Sequence, residues 1–599
     1  MTKKVRILFW MTIILLLAAM VRIIGSTHFS LWTDEGWTTW FVQDWSPQYT
    51  ALRLIRSRHP PLYFMTLAGW QNLAGNTHIA LRFLEIGAGV ITTAIVYRLT
   101  ADHYGKRAGI YAAALFSVLD IATYYNQEVR HYGWLTMAAL WTTFVFFRFI
   151  HNPNRRRWLL YVFSVTLLML THYLGGLIVL VQVFFAMVLW RVPHATKRKI
   201  VWAWFFAFLL YTPWLPTFFY SYGNVERGVG GFPGSYTNSL EDVMILLGML
   251  FGGQLALLGS MYLIGLLNVR RWRLPDLYFL LTGIGFFAGM VVLNDWRGTL
   301  TPRMISFLVP SLMIFCGYGI TQLPKRYQPV ILGVSVLLSV VTAPVIQPRV
   351  NLPDPVAYLE EQYTPGDLII LEMGRTDFAA TYEVQQALGS PEILASTWVT
   401  DPPAFINEIT PALEAHQRVW VMHWVHAAIA LPRLQENYLG YQLVAHETFE
   451  NAPEVPIADK EVDIYLFERL DDTPVATFDE TIVLQDAIYG ESLQPGTPLY
   501  VDLWWQTNAA LDRDYSVGLY LRDSNGAVVA QVDGPLAERP SSQWQPGELM
   551  NQRYALTLPE APGTYSLGSS VYYYETPDSP LQAEDGPVVS LGEVIVTQP

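Results

Sequence analysis

Ile7-Leu8-Phe9-Trp10-Met11-Thr12-Ile13-Ile14-Leu15-Leu16-Leu17-Ala18-Ala19-Met20-Val21-Arg22-Ile23-Ile24, followed by Leu31-Trp32-Thr33-Asp34-Glu35-Gly36-Trp37, decides how this chain is read. The first stretch follows a basic start, Met1-Thr2-Lys3-Lys4-Val5-Arg6, and has no small-residue cleavage site behind it. It therefore reads as a retained membrane span with a cytoplasmic N-terminus, a cleaved signal peptide being the alternative. The second stretch sets two adjacent carboxylates, Asp34 and Glu35, just past the end of that span. Acids at a membrane face are costly unless they work.

Charge divides the 599 residues into two halves of opposite character. Residues 1–350 hold 29 Lys/Arg against 12 Asp/Glu, whereas residues 351–599 hold 9 against 38. The first half, with apolar runs recurring to about residue 346, is expected to be a polytopic membrane domain, and the acidic second half to be water-soluble. The single cysteine, Cys316, lies in an apolar run, which excludes an intrachain disulfide and makes it a packing residue.

Eleven spans are expected, the first at 7–24 and the others near 78–100, 107–121, 131–150, 158–172, 174–190, 200–220, 250–268, 276–293, 303–322 and 328–346. The basic clusters Lys106-Arg107, Arg155-Arg156-Arg157, Lys197-Arg198-Lys199, Arg270-Arg271-Trp272-Arg273 and Lys325-Arg326 fall on every second loop, which makes those loops cytoplasmic. An odd number of spans then puts the acidic C-terminal region outside. This topology assigns nine of the twelve membrane-half acids, Asp34, Glu35 and Glu128 among them, to outer loops or outer span ends. Basic residues that track inner loops argue against nucleic-acid binding.

Four outer segments carry the polar chemistry. His59-Pro60-Pro61-Leu62 starts a helix, since proline suits the first turn, and the apolar-rich Leu62–Ala74 that follows is about 20 Å long and expected to lie along the membrane surface. Tyr124-Tyr125-Asn126-Gln127-Glu128-Val129-Arg130-His131-Tyr132 joins two spans, and Glu128 and Arg130, two residues apart, would not share a helix face. Thr171-His172-Tyr173 forms the third, and Asp295 to Arg303 the fourth, with Arg303 at a span entrance where it either snorkels to lipid phosphate or binds a specific phosphate. For the first three the alternatives are a solvated helix start, an interfacial tyrosine turn and a satisfied polar histidine. The Gly-rich loop 221–238 lacks the lysine of a nucleotide-binding loop and reads as a lid or acceptor rim, or as plain linkage.

In order, Asp34-Glu35, His59-Pro60-Pro61-Leu62, Leu81-Arg82-Phe83, Gln127-Glu128-Val129-Arg130-His131-Tyr132, Thr171-His172-Tyr173 and Arg303 before Pro310 resemble the GT-C superfamily of membrane glycosyltransferases over about residues 1–345. The likeness is to the bacterial branch related to protein O-mannosyltransferases and aminoarabinose transferases. It implies a GT-C fold and transfer of a hexose or pentose from a polyprenyl-phosphate carrier to a glycan, lipid or protein acceptor at the outer face of the cell membrane. The resemblance carries the first-loop acid onto Asp34, the Pro-Pro helix onto Pro60-Pro61, the second-loop acid onto Glu128 and the phosphate-side arginine onto Arg303. Many relatives have Arg-Tyr at the last position, whereas this chain has Arg303-Met304.

That reaction suits these residue types. A carboxylate beside the incoming hydroxyl takes its proton while an oxocarbenium-like state develops, and the departing phosphate needs cationic or hydrogen-bonding stabilisation. The catalytic candidates are Asp34 as base, Glu35 and Glu128, with Glu35 expected to point away from Asp34 and support the loop. The substrate-binding candidates are His59, Arg130, His131, Tyr132, His172 and Arg303. A divalent metal bridged by Asp34, Glu128 and His131 is an alternative, but the chain lacks a tight ligand spacing such as His-Glu-x-x-His and no metal is assigned.

Beyond the break at Asn351-Leu352-Pro353-Asp354-Pro355, residues 351–470 are expected to form a small exoplasmic α/β domain with strands near 367–371, 418–422 and 463–467. Residues 471–599 alternate, as in Leu499–Trp505 and Tyr515–Leu521, with Arg522-Asp523-Ser524-Asn525-Gly526 as a hairpin turn, and are expected to form a β-sandwich. Two competing functions are a transporter or flippase, which calls for paired ionisable residues at mid-membrane and repeated halves, and a membrane anchor presenting a glycan-binding sandwich.

Overall fold

The computed structural model describes residues 2–26, 30–43, 53–55, 59–189, 192–225, 236–269, 272–297, 300–341, 350–396, 402–424, 428–451, 461–490 and 492–597. The chain divides into two compact units, Met1–Gln347 and Pro348–Pro599. The core of the expected lid, residues 226–235, lies outside the described residues.

The first unit is helical. Its site-bearing part runs through α1 (Lys3–Ser26), α2 (Thr33–Val42), α3 (Leu62–Ala74), α4 (His78–Tyr104), α5 (Lys106–Val118), α6 (Tyr132–His151) and α7 (Arg155–Thr171). Thr77 caps α4 by accepting the Ala80 amide, and Asn154 caps α7 by accepting that of Arg157, so local sequence starts both helices where the loops end. Among the described residues, six segments are long and apolar enough to cross a membrane: Lys4–Ile24, His78–Tyr104, Tyr132–His151, His194–Tyr220, Leu274–Asn294 and Pro302–Gln322. Leu240–Leu250 and Leu255–Leu267 add a broken pair bent by 75°, and Gly175–Val188 and Gln328–Val341 are shorter apolar helices. Together with α5 and α7, these helices overlap all eleven expected spans. Leu8, Leu16 and Met20 stand exposed on α1, as a lipid-facing surface requires, while Cys316 is fully buried.

In the second unit, β1 (Leu368–Glu372), β2 (Glu392–Ala395), β3 (Arg418–His423), β4 (Tyr441–Glu450) and β5 (Glu461–Arg469) form one sheet in the order β2-β1-β3-β5-β4. β1 pairs in parallel with β2 and β3, and β5 runs antiparallel to β3 and β4. The uninterrupted burial of Leu368 to Glu372 marks β1 as a central strand. Two further sheets follow, built from β6 (Ala476–Phe478), β7 (Ile482–Tyr489), β8 (Ser492–Leu493), β9 (Pro498–Thr507), β10 (Tyr515–Arg522), β11 (Val528–Pro535), β12 (Met550–Thr557), β13 (Gly563–Tyr573) and β14 (Val589–Val596). Their orders are β12-β9-β7-β6 and β11-β10-β13-β14-β8. They share one core that includes Leu503, Trp505, Leu519 and Leu567. The β10–β11 hairpin turns at Gly526, whose φ of +80° suits glycine.

A buried charge network joins the first of these sheets to β9. Arg418 Nη1 donates to Asp502 Oδ2 at 2.9 Å and lies 3.4 Å from Glu468 Oε1, while its Nε lies 3.2 Å from Asp367 Oδ1. Arg553 Nη2 reaches the same Asp502 oxygen at 2.8 Å. Burial and the neighbouring Asp502 charge push Glu468 well above the ordinary carboxylate range. Burial also works against the Asp502 charge, but Arg418 and Arg553 more than offset it and hold that carboxyl below its usual value.

Candidate active site

The three candidate acids have different surroundings. Asp34, the second residue of α2, keeps a side chain 24% exposed, whereas Glu35 and Glu128 are fully buried. Asp34 Oδ2 accepts from Arg303 Nη1 at 2.5 Å and lies 3.9 Å from Arg130 Nη2. Arg303 reaches it from the short helix Pro302–Ile305, which proline starts.

Arg130 organises the site around Asp34. Its Nη1 donates to the Asp34 carbonyl and to Thr38 Oγ1, both at 3.1 Å, and so grips the first turn of α2. Its Nη2 lies 3.2 Å from His59 Nε2. A guanidinium only donates, so this contact is a hydrogen bond in the tautomer that leaves Nε2 without a proton. The His59 ring is 4.8 Å from that of His131, which is 4.9 Å from both the His172 and Tyr132 rings. The Arg130 guanidinium lies 6.0 Å from the Tyr132 ring centre. His172 is fixed in turn by accepting the Leu174 amide on Nδ1 at 3.0 Å. Four segments far apart in sequence thus converge on Asp34.

Glu35 faces the other way. Its carboxylate accepts Arg82 Nε at 3.2 Å and Nη2 at 3.1 Å, together with the amides of Val129 at 2.8 Å and Trp32 at 3.3 Å. Arg82 also donates to the carbonyls of Ser26 at 2.6 Å and Ser30 at 3.2 Å, so one buried guanidinium ties the end of α1, the start of α2 and the Val129 loop together. Glu128 sits behind the exposed face, within electrostatic reach of Arg303 and Tyr125. Among the described residues no three His, Cys, Asp or Glu side chains converge as a metal-ligand set, and Asp34, Glu128 and His131 do not form one. Arg82 and Thr38 were not among the candidates read from sequence; the Leu81-Arg82-Phe83 motif was the available signal for the first, and nothing local marks the second.

Residues 58–216 match the family model described as dolichyl-phosphate-mannose-protein mannosyltransferase. No curated protein matches the chain by sequence. Among solved structures, apo ArnT from Cupriavidus metallidurans superposes with a TM-score of 0.52 at 12% identity, covering 76% of this chain and 97% of that one. The same enzyme bound to undecaprenyl phosphate gives 0.52 at 12% identity, covering 76% and 98%. The apo oligosaccharyltransferase of Archaeoglobus fulgidus gives 0.50 at 10% identity, covering 100% of each chain. At such identities the likeness is one of architecture, and the chain carries the GT-C fold of membrane glycosyltransferases.

Proposed function

We propose that the protein transfers a sugar from a polyprenyl-phosphate-linked donor to an acceptor hydroxyl at the outer face of the cell membrane. The observation that carries this reading is Asp34, the solvent-reached acid of the three, held between Arg303 and Arg130. A carboxylate beside two guanidinium groups is suited to a reaction in which a proton is taken and a phosphate leaves. The known complex of ArnT with undecaprenyl phosphate supports a lipid phosphate as the carrier.

When the donor phosphate enters, Arg303 and Arg130 turn from Asp34 to its oxygens. The acceptor oxygen attacks the anomeric carbon and its proton passes to Asp34. The carbon–oxygen bond to phosphate breaks with its electron pair, leaving polyprenyl phosphate between the two arginines. This is a single displacement with inversion. Glu35 and Arg82 brace the loops, Glu128 adds negative potential behind Arg303, and His59, His131, Tyr132 and His172 line the donor side. The N-terminus is cytoplasmic and the second unit extracytoplasmic.

Purified protein in lipid nanodiscs, incubated with a panel of radiolabelled polyprenyl-phosphate sugars and membrane extract, should label an acceptor, and Asp34→Asn should abolish the labelling. Labelling that survives Asp34→Asn removes the mechanism. Arg22 and Glu85, ionisable side chains buried within spans, are the observation that a flippase reading would use. Lipid-linked sugar moved across vesicles by the Asp34→Asn protein, without transfer, would favour that reading.

A further inference from the structure

Beneath the loop carrying Glu128, Arg130 and His131 runs a buried polar line that the transfer chemistry leaves unused. Arg22 is fully buried, although α1 turns large apolar side chains outward. Its Nη1 donates to the carbonyls of Ala18 at 3.0 Å and Ser117 at 2.7 Å, and its Nε to Asn126 Oδ1 at 3.2 Å. The adjacent Gln127 donates back to the Val21 and Arg22 carbonyls, both at 3.1 Å. Beyond the Asn126 amide, Glu85 of α4 is fully buried beside the start of α6, with no hydrogen bond to its carboxylate among the described residues.

Two glycines clear the space for this line. A Cβ on Gly89 would stand 2.3 Å from Arg22 Nε and 2.5 Å from Asn126 Oδ1, and one on Gly133 would stand 2.1 Å from both Asn126 Nδ2 and Glu85 Oε2. A charged side chain inside a membrane segment is costly to keep, and an anchoring helix has no use for one. Two spanning helices have instead given up side chains around it. The loop they support is held again at Val129, whose amide donates to Glu35, so residues 126, 127 and 129 are fixed while Arg130 reaches Asp34 and His131 lies beside His59.

We infer that Arg22, Asn126 and Gln127 form an intramembrane strut of positioning residues that sets the 126–131 loop against Asp34, which makes α1 part of the working site. The catalytic consequence rests on the transferase reading; the mechanical one does not. Displacing Arg130 by as little as 1 Å would cost turnover about 100-fold, because the arginine must meet the departing phosphate in register.

The test uses the full chain in lipid nanodiscs with two variants, Arg22→Met and Gly89→Ala. The second strikes the same pair of atoms by bulk and leaves the charge in place, so it decides the matter if the first fails to fold. Hydrogen exchange is followed over 126–131 and, as an internal reference, over the interior of α6, alongside turnover of a polyprenyl-phosphate sugar. Exchange over 126–131 should rise at least about tenfold with α6 unchanged, since local opening governs it. kcat/KM for the donor should fall about 100-fold, with kcat falling too, because the arginine that meets the donor phosphate on entry also stabilises it as it departs. Unchanged loop exchange in a folded variant overturns the strut, and faster exchange with full turnover overturns its positioning role. Faster exchange in variants of a wild type that transfers no sugar supports the strut while removing the transferase reading.

Discussion

Asp34 and Glu35 are sequence neighbours in opposite surroundings, and changing each to its amide separates what they do. Glu35 is fully buried and receives four hydrogen bonds, two from the guanidinium of Arg82, which is 1% exposed. Glu35→Gln keeps the shape but takes the Glu35 charge away from the buried Arg82 guanidinium. Breaking a buried pair from one side costs about 3–5 kcal/mol. At about 2 °C per kcal/mol for a large unit, the apparent melting midpoint should fall by about 6–10 °C. Asp34→Asn removes a partly exposed charge from between two arginines, so its midpoint should move by less than about 2 °C, in keeping with the small worth of solvent-reached pairs. Turnover should behave in the reverse sense, falling by about 10²–10⁴-fold with Asp34→Asn through loss of the base. Thermal unfolding in detergent at one fixed scan rate, followed by transfer assays on the folded fraction, measures both. A midpoint unchanged in Glu35→Gln, or an equal fall in the two variants, would refute the division of labour. Adding Arg82→Met to Glu35→Gln should recover only part of the lost midpoint, because it removes the stranded charge but leaves the Ser26 and Ser30 carbonyls without their donor.

Four other outcomes follow from the same structure. Arg303→Ala should lower kcat/KM for the donor about 10–100-fold, the worth of a charge-assisted hydrogen bond to phosphate, with Arg303→Lys recovering part of it; equal kinetics would place the phosphate elsewhere. His59→Gln, which keeps an acceptor for Arg130 Nη2, should retain more turnover than His59→Leu, and equal losses would show that the acceptor does not matter. In the second unit burial and the Asp502 charge push Glu468 well above the ordinary glutamate range, so its contribution is complete below that range and declines as pH rises toward its elevated value. Glu468→Gln should therefore match the wild type in thermal midpoint near pH 4 and exceed it at pH 8–9. Asp502, held below its usual value, contributes the opposite way, and its stabilisation should be lost as pH falls below about 4.

What the sequence disclosed and what it hid differ in kind. The apolar spans, the polar loops between them and the strand alternation of 499–521 are local patterns, and helices and strands stand where those patterns predict. The hairpin at Gly526 was readable for the same reason. Burial was not. Glu128, counted among outer-loop acids, is enclosed, and the tie from Arg22 to Asn126 spans 104 positions, a separation over which no periodicity reports. Arg82 finds Glu35 across 47 positions, α2 and α4 both packing on α3. Local physical chemistry shows which residues are polar, while tertiary packing alone shows which of them meet.

The charge network in the second unit bears on how that region is inherited. Asp367, Arg418 and Glu468 belong to one sheet, and the carboxylate that completes their balance, Asp502, is supplied by the strands of the next. A shortened chain ending before β6 would strand a guanidinium beside a carboxyl that prefers to stay protonated, at a surface never meant to meet water. The pair of folds should therefore be exchanged between proteins, lost or gained as a single cassette, with the seam at 470–475 a poor place to cut.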